Sequence, residues 1–272
     1  MKKRIISRID IKNNTLVKGI QLEGLRTLGN PKTYADYYYQ NGIDEIFLMD
    51  VVASLYNRNG IEEIVKEVAT DVFVPITVGG GIRTLKDIEN MLKNGADKVS
   101  INSEAHKRPN FISEAVNTFG SSTIVCSIET VKISDKYYCL YDNGRETTGK
   151  ELNNWILTLI SAGVGEIVIT SVLNEGMGAG FDKDIIRSLP TNIEVPIIVH
   201  GGFGNPSQIT ECLMSDKVDG VALASILHYY AKDKILNSDD LNRNEGNYLY
   251  LKSGKIPTQI QPSSIEQIKN FR

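Results

Sequence analysis

"VPITVGGGIRT", residues 74–84, is a short β-branched run that ends in three glycines and then opens a helically spaced segment, "TLKDIENMLKNGA" (84–96). The pattern returns as "VPIIVHGGFGN" at residues 195–205. Setting Val74 on Val195 gives an offset of 195 − 74 = 121 residues. At that offset "NGIDEIFLMDV" (41–51) lies over "AGVGEIVITSV" (162–172), with Gly42 on Gly163 and Glu45 on Glu166. With one residue inserted, Asp97 falls on Asp219. Two matches at one offset describe a chain made of two similar halves.

Each half holds four strand-like runs. The first has "RIISRID" (4–10), "EIFLMDV" (45–51), "VPITVG" (74–79) and "DKVSIN" (97–102). The second has "STIVCSIE" (122–129), "EIVITS" (166–171), "VPIIVH" (195–200) and "VDGVALA" (218–224). Helical segments such as "GKELNNWILTLISAG" (149–163) lie between them. Apolar strands alternating with helices point to parallel strands covered by crossover helices. A doubly wound open sheet would satisfy that alternation too, and the half-length repeat decides against it. The expected fold is α/β, a (βα)8 TIM barrel with a two-fold half-barrel repeat, as one domain over 1–272. A segment at about 231–262, before the last helix, is atypical and reads as a surface excursion.

Composition excludes several function classes. Net charge is −3, so a broad nucleic-acid footprint is not expected. The apolar runs are strand-sized, below the roughly 20 residues of a membrane span. "MKKRIISRID" is interrupted by Arg8 and Asp10 and does not read as a secretory signal, which favours a cytoplasmic location. Cys126, Cys139 and Cys212 lack metal-ligand spacing, and His106, His200 and His228 are scattered, so neither a metal nor a cofactor is expected.

At the carboxyl end of a barrel strand, glycines let backbone amides approach a ligand. A helix opening just beyond points its positive end at an anion. Gly79–Gly81 fit that use, and Gly201 and Gly202 repeat it; tight strand-to-helix turns are the plainer reading. Two anion cradles on one rim imply a ligand with a phosphate at each end. Asp10 and Glu129 end the first and fifth strands, across the mouth from one another, where catalytic groups of such barrels sit. Paired carboxylates can divide acid and base work if their surroundings separate their pKa values. Capping of neighbouring loops is the structural alternative. At the opposite end, Arg4, Glu45, Lys98 and Glu166 begin strands one, two, four and six. Strand alternation turns them inward, where mutual pairing is expected.

These residues together resemble the HisF family, the cyclase subunits of imidazole glycerol phosphate synthase. The resemblance runs from Arg4 to about Tyr230 through "IDIKNNTLVKG", "FLMDVVAS", "PITVGGGI", "GADKVSIN", "GEIVITS" and "HGGFG". It implies a lyase of histidine biosynthesis that adds ammonia to a doubly phosphorylated ribulosyl-formimino ribonucleotide. The products would be imidazole glycerol phosphate and aminoimidazole carboxamide ribonucleotide. By this resemblance Asp10 and Glu129 are catalytic. Lys18 belongs to a mobile first loop, and Asp50 and Thr170 join the substrate contacts. One phosphate loop falls on Gly80, Gly81 and Asn102, the other on Gly176, Gly201, Gly202, Ala224 and Ser225. Arg4, Glu45, Lys98 and Glu166 match an ammonia gate, and Asp97 falls at the partner interface. No glutaminase motif is present, so ammonia would come from a separate HisH-like glutaminase docked at the barrel bottom.

The match also fails in places. Glu129 stands where the family has aspartate. Arg8, one inward step below Asp10, replaces a smaller residue, with Glu129 or Asp50 as its expected partner. Leu173, Asn174, His200 and Phe203 differ around the second cradle, where His200 reads as a packed residue. Two further readings therefore stay open, an ammonia-conducting subunit in the amidination of surface sugars and a related phosphoribosyl isomerase.

Overall fold

The computed structural model describes residues 3–53, 61–235, 257 and 259–271. Its strands are β1 (Arg4–Lys12), β2 (Thr15–Ile20), β3 (Glu23–Gly29), β4 (Glu45–Asp50), β5 (Ile76–Gly79) and β6 (Lys98–Ile101). They continue as β7 (Ile124–Ile133), β8 (Lys136–Tyr141), β9 (Glu146–Glu151), β10 (Glu166–Ser171), β11 (Ile197–His200) and β12 (Gly220–Leu223). Eight of these pair in parallel in the order β1, β4, β5, β6, β7, β10, β11, β12, and β12 pairs again with β1. The ring is closed, with helices between its strands: a (βα)8 barrel. Of the atypical stretch expected at 231–262, residues 236–256 and 258 lie outside the described residues.

Strand alternation sorts the apolar side chains into two cores. Ile6, Phe47, Val125, Val168, Ile198 and Ala222 meet inside the barrel, with Met49 packed against them. Outward-facing Ile5, Ile9, Val78, Val99 and Ile169 join a larger core with the covering helices. Each fully buried side chain of this size contributes about 1.5–3 kcal/mol. Among the described residues, no helix is long and apolar enough to cross a membrane.

The two halves repeat in geometry as well as in letters. Asp97 Oδ2 accepts from Ile76 N at 2.8 Å, and Asp219 Oδ2 from Ile197 N at 3.0 Å. Gly80 and Gly201 have φ of +101° and +98°, and Gly81 and Gly202 have +71° and +105°. Thr84 and Asp87 form a capping box on helix Leu85–Lys93, and Asn205 and Gln208, 121 residues on in each case, form one on Pro206–Leu213. Sequence drift has left this hydrogen-bonding frame in place.

Two hairpins go beyond the eight-strand expectation. β1 turns back into β2 and β3, and β7 turns back into β8 and β9, all antiparallel. Their turns use left-handed residues: Asn13 and Asn14 in one, Asp142, Asn143 and Gly144 in the other. The hairpins meet. Asn143 Nδ2 donates to Leu22 O at 3.2 Å, and Leu22, Leu140 and Val172 form a small apolar cluster. They roof the carboxyl end of the barrel.

Candidate active site at the barrel mouth

Asp10 and Glu129 are both buried beneath this roof, in unlike surroundings. Asp10 and Arg8 point inward from alternate positions of β1, and Arg8 Nε donates to Asp10 Oδ1 at 2.8 Å. Arg8 was expected to pair with Glu129 or Asp50; its closest ion pair is with its own strand neighbour. Burial opposes the guanidinium charge, and Asp10, together with Glu129 and Glu175, leaves the Arg8 pKa raised. Glu129 Oε2 accepts from Gly144 N at 2.7 Å, a bond delivered by the second hairpin. Burial pushes the Glu129 carboxyl up to about 7, against the charge of Arg8 and the Gly144 bond, while Asp10 and Asp142 add to the rise. The two carboxyls thus differ in partner: a cation for one, a backbone amide for the other.

The glycine turns open into two cavities. The first, about 750 Å³ including space open to solvent, is lined by Gly80, Gly81, Asn102, Asp50, Glu129, Thr170 and Arg8, among others. The second, about 240 Å³, is lined by Gly176, Gly201, Gly202, Ala224, Ser225, Glu175 and His200, among others. Arg8 Nη1 reaches Thr170 Oγ1 at 3.4 Å and His200 Nδ1 at 3.3 Å, so this trio stands where the cavities meet. Arginine can only donate, which makes His200 Nδ1 an acceptor and the ring neutral. Burial, then the charges of Arg8, Lys18 and His228, hold the His200 pKa well below its usual value. Asp10 lines neither cavity.

One expectation about the cradles needs correction. The helices directly after the glycines do not offer free positive ends. Asp87 Oδ2 accepts from Arg83 N at 3.0 Å and Thr84 N at 2.8 Å, and Gln208 Oε1 accepts from Gly204 N at 2.8 Å. Side chains already satisfy those amides. The helix starts that face the cavities lie one strand further on, at Asn102 before Ser103–Lys107 and at Ser225 on Ser225–Ile235. The glycines themselves are required: a Cβ on Gly80 would lie 2.2 Å from Asp50 O, and one on Gly202 2.2 Å from Gly180 O.

Lys18, expected on a mobile loop, sits on β2 and is buried in an ion pair with Glu175. Glu175 Oε2 also accepts from Leu22 N at 3.0 Å, fastening the first hairpin onto the second cradle. Asp50 Oδ1 accepts from Val52 N and Ala53 N, each at 3.0 Å, and so shapes the loop after β4 while lining the first cavity.

At the other end the four charges converge. Arg4 meets Glu45 at 2.7 Å and Glu166 at 2.5 Å, and Lys98 meets the same two at 2.9 and 3.3 Å. Thr77 Oγ1 adds a bond to Glu45 at 2.7 Å. Burial opposes the Arg4 charge, but Glu166 and Glu45 leave its pKa raised. Asp97 stands beside this ring with its carboxylate occupied by Ile76 N.

Sequence reasoning overlooked Glu175, Gly144, Asn143 and Lys107, of which the last two line the first cavity. "DNG" at 142–144 carried the signal for a hairpin turn that would bring two of them to the mouth. Glu175 had none, since its partner lies 157 residues away. Among the described residues no group of three or more His, Cys, Asp or Glu is arranged to hold a metal ion.

Residues 4–233 match a family described as "Histidine biosynthesis protein". A Legionella pneumophila protein named imidazole glycerol phosphate synthase subunit HisF is 47% identical over 202 residues, 74% of this chain and 95% of the relative. Proteins of the same name from Staphylococcus saprophyticus and an Exiguobacterium species are 39% and 42% identical. Each alignment covers 84% of this chain, and 91% and 89% of the relative.

Proposed function

The chain belongs to the histidine biosynthesis protein family, and we propose that it is the ammonia-dependent cyclase subunit of an imidazole glycerol phosphate synthase. The observation that carries this reading is the meeting, at one barrel mouth, of two opposed carboxylates and two glycine cradles. The relatives bear the cyclase subunit's name, which speaks for it over sugar amidination or isomerisation.

The ribulosyl-formimino ribonucleotide is held by its ends. Gly80, Gly81 and Asn102 take one phosphate; Gly176, Gly201, Gly202, Ala224 and Ser225 take the other. Thr170 and Asp50 contact the substrate between them. For one molecule to span both cavities, the Arg8–Thr170–His200 contact must open. Lys18 leaves Glu175 and turns to the substrate, a buried cation already near the second cradle. Ammonia becomes a ring nitrogen by losing protons, and the departing amine of the carboxamide ribonucleotide must gain one. Asp10 and Glu129 exchange those protons beneath the two hairpins once the Arg8–Thr170–His200 contact has opened.

Ammonia comes from a separate HisH-like glutaminase docked at the barrel bottom, where Asp97 forms part of the contact. Arg4, Glu45, Lys98 and Glu166 close that end as a gate, because their pairing is satisfied with the ring shut and must be rearranged to pass a molecule. A cytoplasmic location goes with this chemistry. The test is direct: purified protein with ammonium salt and the ribonucleotide yields imidazole glycerol phosphate and aminoimidazole carboxamide ribonucleotide without a glutaminase. Absence of both products at saturating ammonium rejects the reading.

A further inference from the structure

Arg8 is a buried cation at the mouth that the proposed chemistry does not use. Arg8 is fully buried, stands one inward step below Asp10, and donates through Nε to Asp10 Oδ1 at 2.8 Å. Its other arm is fixed by Thr170 and His200, and its guanidinium lies 5.8 Å from the Phe47 ring centre. Glu129 has a different anchor, the Gly144 amide of the second hairpin. We infer that Arg8 is a positioning residue that assigns the acid and base roles, holding Asp10 as the carboxylate that accepts a proton and leaving Glu129 as the carboxyl that donates one. The inference rests on the cyclase reading for its chemistry, and on the unlike partners of the two buried carboxyls for their unequal roles.

The groups around the pair support that division. Arg8 bonds Asp10 from β1; Lys18 on β2 and His228 on helix Ser225–Ile235 interact with one another and with this region, and His228 also senses Asp10. Burial and then Lys18 bring His228 down to about 3, and His200 on β11 is neutral, so neither ring competes as a base near pH 7. Glu129 feels Arg8 only at a distance, with Asp10 and Asp142 as nearby anions. Glu175 is committed to Lys18. One carboxyl is bonded to a cation, and the other is desolvated enough to be raised despite its amide bond, so the two stand in unlike surroundings. The atoms and protons balance: the incoming nitrogen gives up an N–H proton to Asp10, the Glu129 O–H bond breaks with its proton going to the leaving amine, the ribulosyl carbonyl oxygen departs as water, and proton exchange with solvent returns Asp10 to the carboxylate and Glu129 to the acid.

Two measurements on the full chain test this. In the first, ammonia-supported turnover is followed across pH at constant free ammonia for the wild type, Arg8→Lys and Arg8→Gln. Arg8→Gln should bring the acidic limb of the profile up by about one pH unit, a roughly tenfold relative loss at the acidic end. Arg8→Lys should restore most of it. A profile lowered uniformly, with its limbs unmoved, would make Arg8 merely structural and overturn the inference. In the second, carboxyl carbon NMR follows Asp10 and Glu129 in the wild type, so a variant that fails to fold leaves the question decidable. Glu129 should be the later of the two to ionise as pH rises; the reverse order overturns the assignment. Should the wild type not turn over the ribonucleotide, the cyclase reading fails while the NMR order still judges Arg8.

Discussion

Replacing Glu129 by glutamine should slow the protein and stabilise it at once, with a pH signature. The carboxyl is almost fully buried, and burial raises its pKa from 4.5 to about 7. Between those values the folded state binds a proton that the unfolded state has released, so stability falls as pH rises through that window. The interval 7 − 4.5 is about 2.5 units, and at ~1.4 kcal/mol per unit this is at most about 3 kcal/mol lost by pH 8. Glutamine has the same shape, keeps an oxygen for Gly144 N and cannot ionise. Urea unfolding should therefore show the variant equal to wild type near pH 4 and more stable by up to about 3 kcal/mol at pH 8. Turnover with ammonium should fall by about 10²–10⁴, the usual worth of a general acid or base. A stability gap that does not change with pH would refute the argument from burial. An unaltered rate would remove Glu129 from the proton transfers.

Three other perturbations have defined outcomes. Gly80→Ala forces a Cβ against Asp50 O at φ +101°, so about 1–3 kcal/mol of strain should appear in thermal unfolding. Phosphate should then bind more weakly at the first cradle than at the second. Lys18→Met and Glu175→Gln each strand a buried charge and should each cost about 3–5 kcal/mol in urea unfolding, with the double variant costing less than their sum. Additive costs would show that the pair is not coupled. Arg4→Ala opens the bottom ring. It should leave ammonium-supported turnover nearly unchanged but reduce glutamine-supported turnover with the partner by about tenfold or more, as ~1.4 kcal/mol of barrier would.

Much of this architecture was legible because it follows from local period and repetition. The glycine runs at 79–81 and 201–202 follow strand-like runs, and alternation places Asp10 and Glu129 near the carboxyl ends of the barrel portions of β1 and β7, which run on into the hairpins to Lys12 and Ile133. The bottom ring follows similarly from residues that begin strands. The hairpins were legible and missed: "NN" at 13–14 and "DNG" at 142–144 are turn signals lying between runs that read as loops. "TLKD" and "NPSQ" likewise announced capping boxes that consume the amides first assigned to a ligand. Other features were out of reach. Whether Arg8 turns to Asp10, Glu129 or Asp50 depends on side-chain torsions in a crowded lumen. The Lys18–Glu175 pair joins a hairpin to a distant loop through tertiary packing alone.

The central claim is that one molecule with two anionic ends bridges both cradles across the carboxylates. Phosphorus NMR of inorganic phosphate bound to the protein, titrated with the ribulosyl-formimino ribonucleotide, measures this. The account predicts phosphate at both cradles, all of it displaced by a single equivalent of ribonucleotide per chain. Phosphate left bound at saturation, or a second equivalent needed to clear it, would mean that the two cavities serve separate ligands.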